Sequence, residues 1–127
     1  MLFVKMVDGL TALVIDDEPD VKSLFVDVLQ SEGVTTDSVA TTREGLDLLA
    51  RKSYSIVITD LKQNPTGTEV YRYAREKGMH AYIATGGADP IVIGEARKVA
   101  GENILMKPIN IDQLADIVKK VKERSQS

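Results

Sequence analysis

The stretch Thr11-Ala-Leu-Val-Ile-Asp-Asp-Glu-Pro19 decides the fold. Five residues of apolar, β-branched character run into two adjacent aspartates, a glutamate and a proline. The apolar run suits a strand covered on both faces. Pro19 suits the first turn of a helix, where its missing N–H costs nothing. Behind it Val21, Leu24, Phe25, Val28 and Leu29 fall at i, i+3, i+4, i+7 and i+8, one apolar helical stripe, and Gly33 ends it. The opening is therefore a buried strand, an acidic turn and an amphipathic helix.

The same alternation repeats along the chain. Runs at Thr35-Thr-Asp-Ser-Val39, Ser55-Ile-Val-Ile-Thr59, His80-Ala-Tyr-Ile-Ala84 and Asn103-Ile-Leu-Met106 read as four further strands. Thr41-Thr-Arg-Glu44 has capping-box spacing and opens a second helix carrying Leu46, Leu48 and Leu49. Residues 68–77 and 89–100 form the third and fourth helices, ended by Gly78 and Gly101. Asn110 to Gln113 offers a cap for a fifth, striped by Ile111, Leu114, Ile117, Val118 and Val121. Five β-α pairs in order predict an α/β fold, with right-handed crossovers placing helices on both faces of one parallel sheet.

The 127 residues suit one domain. With 16 basic against 19 acidic residues, the net charge of −3 gives no general attraction to nucleic acid or anionic lipid. The absence of cysteine removes disulfides, thiolate metal sites and cysteine nucleophiles. No run reaches the ~20 apolar residues that span a bilayer, so a cytoplasmic location is expected. The basic run Lys119-Lys-Val-Lys-Glu-Arg124 reads as a solvated helix end favoured by the helix dipole. The apolar start at Leu2, Phe3 and Val4 is read as a lead-in, with partner binding the alternative. Val92 and Ile93 are expected to pack on the sheet. His80, the one histidine, opens a strand without a metal-ligand neighbour and reads as structural.

Ligands in open α/β sheets sit beyond the carboxyl ends of the strands. There the sequence places Asp16-Asp17-Glu18 after the first strand, Asp60 after the third, Thr85-Gly86-Gly87 after the fourth and Lys107-Pro108 after the fifth. Singly, each has an ordinary explanation. Asp17 or Glu18 could cap a helix, Asp60 could be a loop residue, Thr85 a turn and Lys107 a surface cation. Together they predict carboxylates, a hydroxyl and an ammonium on one rim. Packed carboxylates repel unless a cation intervenes, and magnesium suits such oxygen donors.

The strings Leu13-Val-Ile-Asp-Asp-Glu-Pro19, Ile56-Val-Ile-Thr-Asp60, Ile83-Ala-Thr-Gly86 and Leu105-Met-Lys-Pro108 closely resemble the receiver domains of two-component response regulators, over roughly residues 11–122. The resemblance implies a doubly wound, flavodoxin-like sheet in the order 2-1-3-4-5, flanked by five helices. It implies Asp60 as the acceptor of a phosphoryl group from a histidine kinase or phosphotransfer protein. Asp17 and Asp60 would bind magnesium directly with the Lys62 backbone carbonyl, and Asp16 would act through water. Thr85 would hydrogen-bond a phosphoryl oxygen, while Lys107 would pair with Asp60 and then with the phosphoryl group. The implied protein is a stand-alone switch rather than a turnover enzyme, acting on an unknown output partner by docking or in a phosphorelay. Weak pairing of two copies through the fourth- and fifth-helix face belongs to the same implication.

Two departures stand out. The loop Leu61-Lys-Gln-Asn-Pro-Thr-Gly67 lacks the family's usual Met-Pro and Asp-Gly spacing, and Lys62 itself could reach the phosphoryl group or dock an acidic partner. Ile104 stands where the family often carries an aromatic switch residue, leaving Tyr82 or the helix after Gly87 as other levers. These motivate a second reading, a receiver-shaped binding module that no longer depends on phosphorylation. A flavodoxin-like enzyme or nucleotide binder is disfavoured, because acidic residues stand where a glycine-rich phosphate loop would.

Overall fold

The computed structural model describes residues 9–87 and 89–126. Leu2, Phe3 and Val4 lie outside the described residues. Five strands, β1 (Thr11–Ile15), β2 (Thr35–Val39), β3 (Ile56–Asp60), β4 (His80–Thr85) and β5 (Ile104–Met106), alternate with five helices. The helices are α1 (Pro19–Ser31), α2 (Thr42–Arg51), α3 (Gly67–Glu76), α4 (Pro90–Ala100) and α5 (Ile111–Gln126). All strand pairs are parallel, and the sheet order is 2-1-3-4-5, as the resemblance implied.

Successive strand residues point to opposite faces, so one strand feeds two cores. Ala12, Val14, Ile56, Ile58, Ala84 and Leu105 meet Phe25 and Leu29 of α1 and Leu114, Ile117 and Val121 of α5. Leu13, Ile15, Val57 and Ile83 meet Leu49, Val70, Ala74, Ala96 and Ala100 on the other side. This double burial accounts for the nearly continuous apolar runs.

The helix signals act as local chemistry predicts. Thr41 and Glu44 close a reciprocal capping box, and Asn110 Oδ1 accepts the Gln113 N–H at 3.1 Å. Two strands run further than their apolar runs: Asp60 pairs in register with Ala84, and Thr85 with Met106. Both polar residues are thus held in the ladder rather than in loops. The packing expected of Val92 is not found. It is 43% exposed and Ile91 73%, because α4 turns Ala96 and Ala100 to the sheet instead. His80 is half-buried at the far end of β4, where burial lowers its pKa, helped by Arg124 and Arg75.

Away from the strand ends, the β2 residue Asp37 is well satisfied. Its Oδ2 accepts the Tyr54 hydroxyl at 2.6 Å and the Lys52 ammonium at 3.0 Å. The Tyr54 bond, then the Lys52 bond, hold the Asp37 carboxyl below its ordinary value.

Candidate functional site

The chain turns sharply after β1. Asp16 Oδ1 accepts the Glu18 N–H at 2.9 Å, which shapes the turn into α1 and leaves Glu18 as the residue before the helix. Asp16 is buried, while Asp17 and Glu18 are exposed. Ligand oxygens of the three carboxylates lie within 4.8 Å of one another.

Across the rim, a cavity of about 320 Å³ is lined by Asp17, Glu18, Asp60, Lys62, Thr85 and Lys107, among others. Asp60 is 6% exposed and Thr85 3%. The Thr85 carbonyl accepts the Lys107 N–H at 2.8 Å, which fixes the lysine's backbone beside β4. Gly86 leaves room for this approach, since a Cβ there would lie 2.9 Å from the Lys107 Cβ. Gly67, at the start of α3, plays the same part beneath Asp60, whose carbonyl oxygen a Cβ would strike.

Lys107 departs from the pairing that the resemblance implied. Its ammonium lies 2.8 Å from Asp16 Oδ2 and 3.6 Å from Glu18 Oε1, and no ion pair joins it to Asp60 among the described residues. Asp16 is almost wholly buried, and a carboxylate in that setting is stabilised by a paired cation. Burial alone would lower the Lys107 pKa. The contact with Asp16, and then the charges of Asp16, Glu18 and Asp60, outweigh that, and the net shift is upward.

Asp60 is instead held by Gln63, a residue the sequence did not mark. The Gln63 amide nitrogen donates to Asp60 Oδ2 at 3.1 Å and to the Ala40 carbonyl at 2.9 Å. Its oxygen accepts the Thr42 N–H at 2.8 Å, and the Thr42 hydroxyl donates to the Pro65 carbonyl at 2.6 Å. The atypical loop is therefore fastened across to the start of α2. Lys62 extends over the opening, with its ammonium 3.5 Å from the Gly87 carbonyl.

Burial raises the Asp60 pKa. The Gln63 bond partly offsets it, the neighbouring Asp16 charge raises it again, and Asp17 acts both ways, its backbone N–H lowering the value and its charge raising it. Asp60 Oδ1 is buried without a hydrogen-bond partner, and Asp16 Oδ2, despite its ion pair, makes no hydrogen bond of regular geometry. The clustered carboxylates of Asp16, Asp17 and Glu18 are oxygen donors of the kind a hard dication takes, and Asp60, outside that cluster, shares the cavity with Asp17 and Glu18.

The protein-family model described as "Response regulator receiver domain" matches residues 12–119. Response regulator protein PilR of Pseudomonas aeruginosa is 27% identical over 84% of this chain and 25% of its own length. Sporulation initiation phosphotransferase F of Bacillus subtilis is 25% identical over 85% of this chain and 90% of its own. This chain thus spans about a quarter of the first relative and nearly all of the second. Among solved structures, a CheY-like receiver domain protein from Methanospirillum hungatei superposes with a TM-score of 0.79 at 25% identity, covering 93% of this chain and 98% of that one. A receiver protein from Sinorhizobium medicae gives 0.78 at 26% identity, covering 91% and 95%.

Proposed function

The chain belongs to the response regulator receiver domain family, and from that premise we propose that it is a phosphorylation-dependent switch whose acceptor is Asp60. The observation that carries this reading is Asp60, which lines a cavity with Thr85 and Lys107 and whose Oδ1 is buried without a hydrogen bond of regular geometry. A carboxylate oxygen kept free of donors keeps its lone pairs for a bond to phosphorus.

In this reading the donor is a phosphohistidine on a kinase or phosphotransfer protein. Asp60 Oδ1 forms the O–P bond as the P–N bond breaks, and the electron pair returns to the imidazole nitrogen, which takes up a proton. Phosphoryl transfer depends mainly on positioning and on neutralising the transferred oxygens. The strand ladder fixes Asp60 and Thr85, and the Lys107 ammonium stands ready beside Asp16. Thr85 would donate its hydroxyl to a phosphoryl oxygen. A magnesium ion, held by Asp17, Asp60 and the Lys62 carbonyl and through water by Asp16, would supply most of the charge neutralisation. Water attack at phosphorus returns the carboxylate and inorganic phosphate, so the domain resets itself.

The output in this proposal is docking of a partner protein or transfer of the phosphoryl group along a relay in the cytoplasm. The likeness over nearly the whole length of a sporulation phosphotransferase supports the relay form. Incubation with magnesium and phosphoramidate tests the acceptor. The expected result is a mass gain of one phosphoryl group, absent in Asp60→Asn and absent with chelator. A parent protein that stays unlabelled overturns the proposal and favours a phosphorylation-independent binding module.

A further inference from the structure

We propose that Gln63 is a positioning residue for Asp60 and the link through which the state of Asp60 reaches the start of α2. The proposal rests on the reading of Asp60 as phospho-acceptor. A glutamine amide offers two N–H donors and one carbonyl acceptor. Here both donors are taken, by Asp60 Oδ2 and the Ala40 carbonyl, and the acceptor is taken by the Thr42 N–H. Turning the amide over would set its oxygen against two acceptors and its nitrogen against a donor, so only one orientation satisfies all three contacts.

This arrangement has two consequences. It engages Oδ2, which leaves Oδ1 as the oxygen without a partner. It also ties the acceptor to the first residue of α2, Thr42, which lies 21 residues from Gln63 in the chain. The bond to Oδ2 is charge-assisted while Asp60 is a carboxylate. Phosphorylation of Oδ1 turns the remaining oxygen into the neutral carbonyl of an acyl phosphate, a weaker acceptor. The Gln63 amide then loses hold on one of its three anchors, and the change falls on Ala40 and Thr42. Thr42 is buried and also holds the Pro65 carbonyl, so its shift is shared by the loop that follows β3. A passive loop staple would hold the same partners but would not respond to the acceptor.

The experiment follows backbone amide signals of Thr42 and Thr85 by nuclear magnetic resonance, on addition of magnesium and beryllofluoride, in the parent, Gln63→Met and Gln63→Glu. The glutamate keeps an oxygen for the Thr42 N–H but removes the donor to Asp60. In the parent both signals move. In both variants Thr85 still moves, while the Thr42 shift falls by ~3-fold or more, in line with loss of a charge-assisted bond. A Thr42 shift of parent size in either folded variant, or none in a parent whose Thr85 responds, overturns the role of Gln63. A parent in which Thr85 itself stays still overturns the acceptor reading, and this inference falls with it.

Discussion

Asp37 and Asp60 are both strand aspartates, and their surroundings are opposite. Asp37 sits on the flank beside α2 with a tyrosine hydroxyl and an ammonium on one oxygen, and its pKa is lowered. Asp60 sits at the rim with one neutral amide on Oδ2, no hydrogen bond of regular geometry on Oδ1 and only a weaker approach of the Asp17 N–H, and burial raises its pKa. The first carboxylate contributes to the fold by being satisfied. The second is short of partners, which costs stability and, under the proposed function, leaves an oxygen for the phosphoryl group. Perturbed groups of the second kind gather where chemistry is done. The rim's cation follows the same division: Lys107 pairs with Asp16 and Glu18, and among the described residues makes no ion pair with Asp60.

The largest effect should come from taking that cation away. In Lys107→Met, Asp16 keeps its buried charge without a partner. Breaking a buried pair from one side costs 3–5 kcal/mol in general; the partial exposure of Lys107 lowers this to about 2–4 kcal/mol. Urea unfolding at neutral pH measures the loss. Adding Asp16→Asn to Lys107→Met should restore most of it, since the orphaned charge is gone. A double variant no more stable than the single one would mean that the lysine acts by packing.

Asp60→Asn should move stability the other way. A raised carboxyl pKa is a penalty on the folded state that applies at pH above the folded pKa. It disappears at pH below the ordinary value of 3.8, where the group is protonated both folded and unfolded. The amide removes the penalty while keeping an oxygen for Gln63. Thermal melts in chelator at neutral pH should rise by a few degrees, about 3–5 °C for each kcal/mol in a chain of this size. The gain should close as the pH falls toward 4. Asp37→Asn should lower the melt under the same conditions, and two shifts of the same sign would break the comparison.

The architecture was legible because it is written in local patterns. Apolar runs of strand length, the Thr41–Glu44 capping box and the Asn110 cap each depend on neighbours within a few positions. The polar strand ends that gather round the cavity could be read from the topology alone. What escaped depends on the path of the chain in space. Gln63 lies in a loop with no recognisable spacing, and its partners at Ala40 and Thr42 are more than twenty residues away. The pairing of Lys107 with Asp16 rather than Asp60 depends on how the two strand ends sit in space, which adjacent aspartates do not announce. In Pro90-Ile-Val-Ile-Gly94, three apolar residues in a row name no helical face, and the small Ala96 and Ala100 took the sheet.

The smallest effect tests the satisfied side. In Tyr54→Phe, Asp37 keeps the Lys52 ammonium and loses the bond that does most to lower its pKa. Its carboxylate is 42% exposed, so water replaces much of the lost donor and the cost stays below about 1 kcal/mol. The pH dependence carries the sharper signal. A lowered carboxyl pKa gives stability that is present above the ordinary value of 3.8 and lost as the pH falls through the folded one. In the variant the Asp37 signal should titrate closer to 3.8, and the parent's advantage should vanish in acid, while phosphoryl labelling at Asp60 stays at the parent's level. An altered labelling rate would mean that the flank and the rim share one electrostatic network, and the division between a carboxylate for folding and a carboxylate for chemistry would not hold.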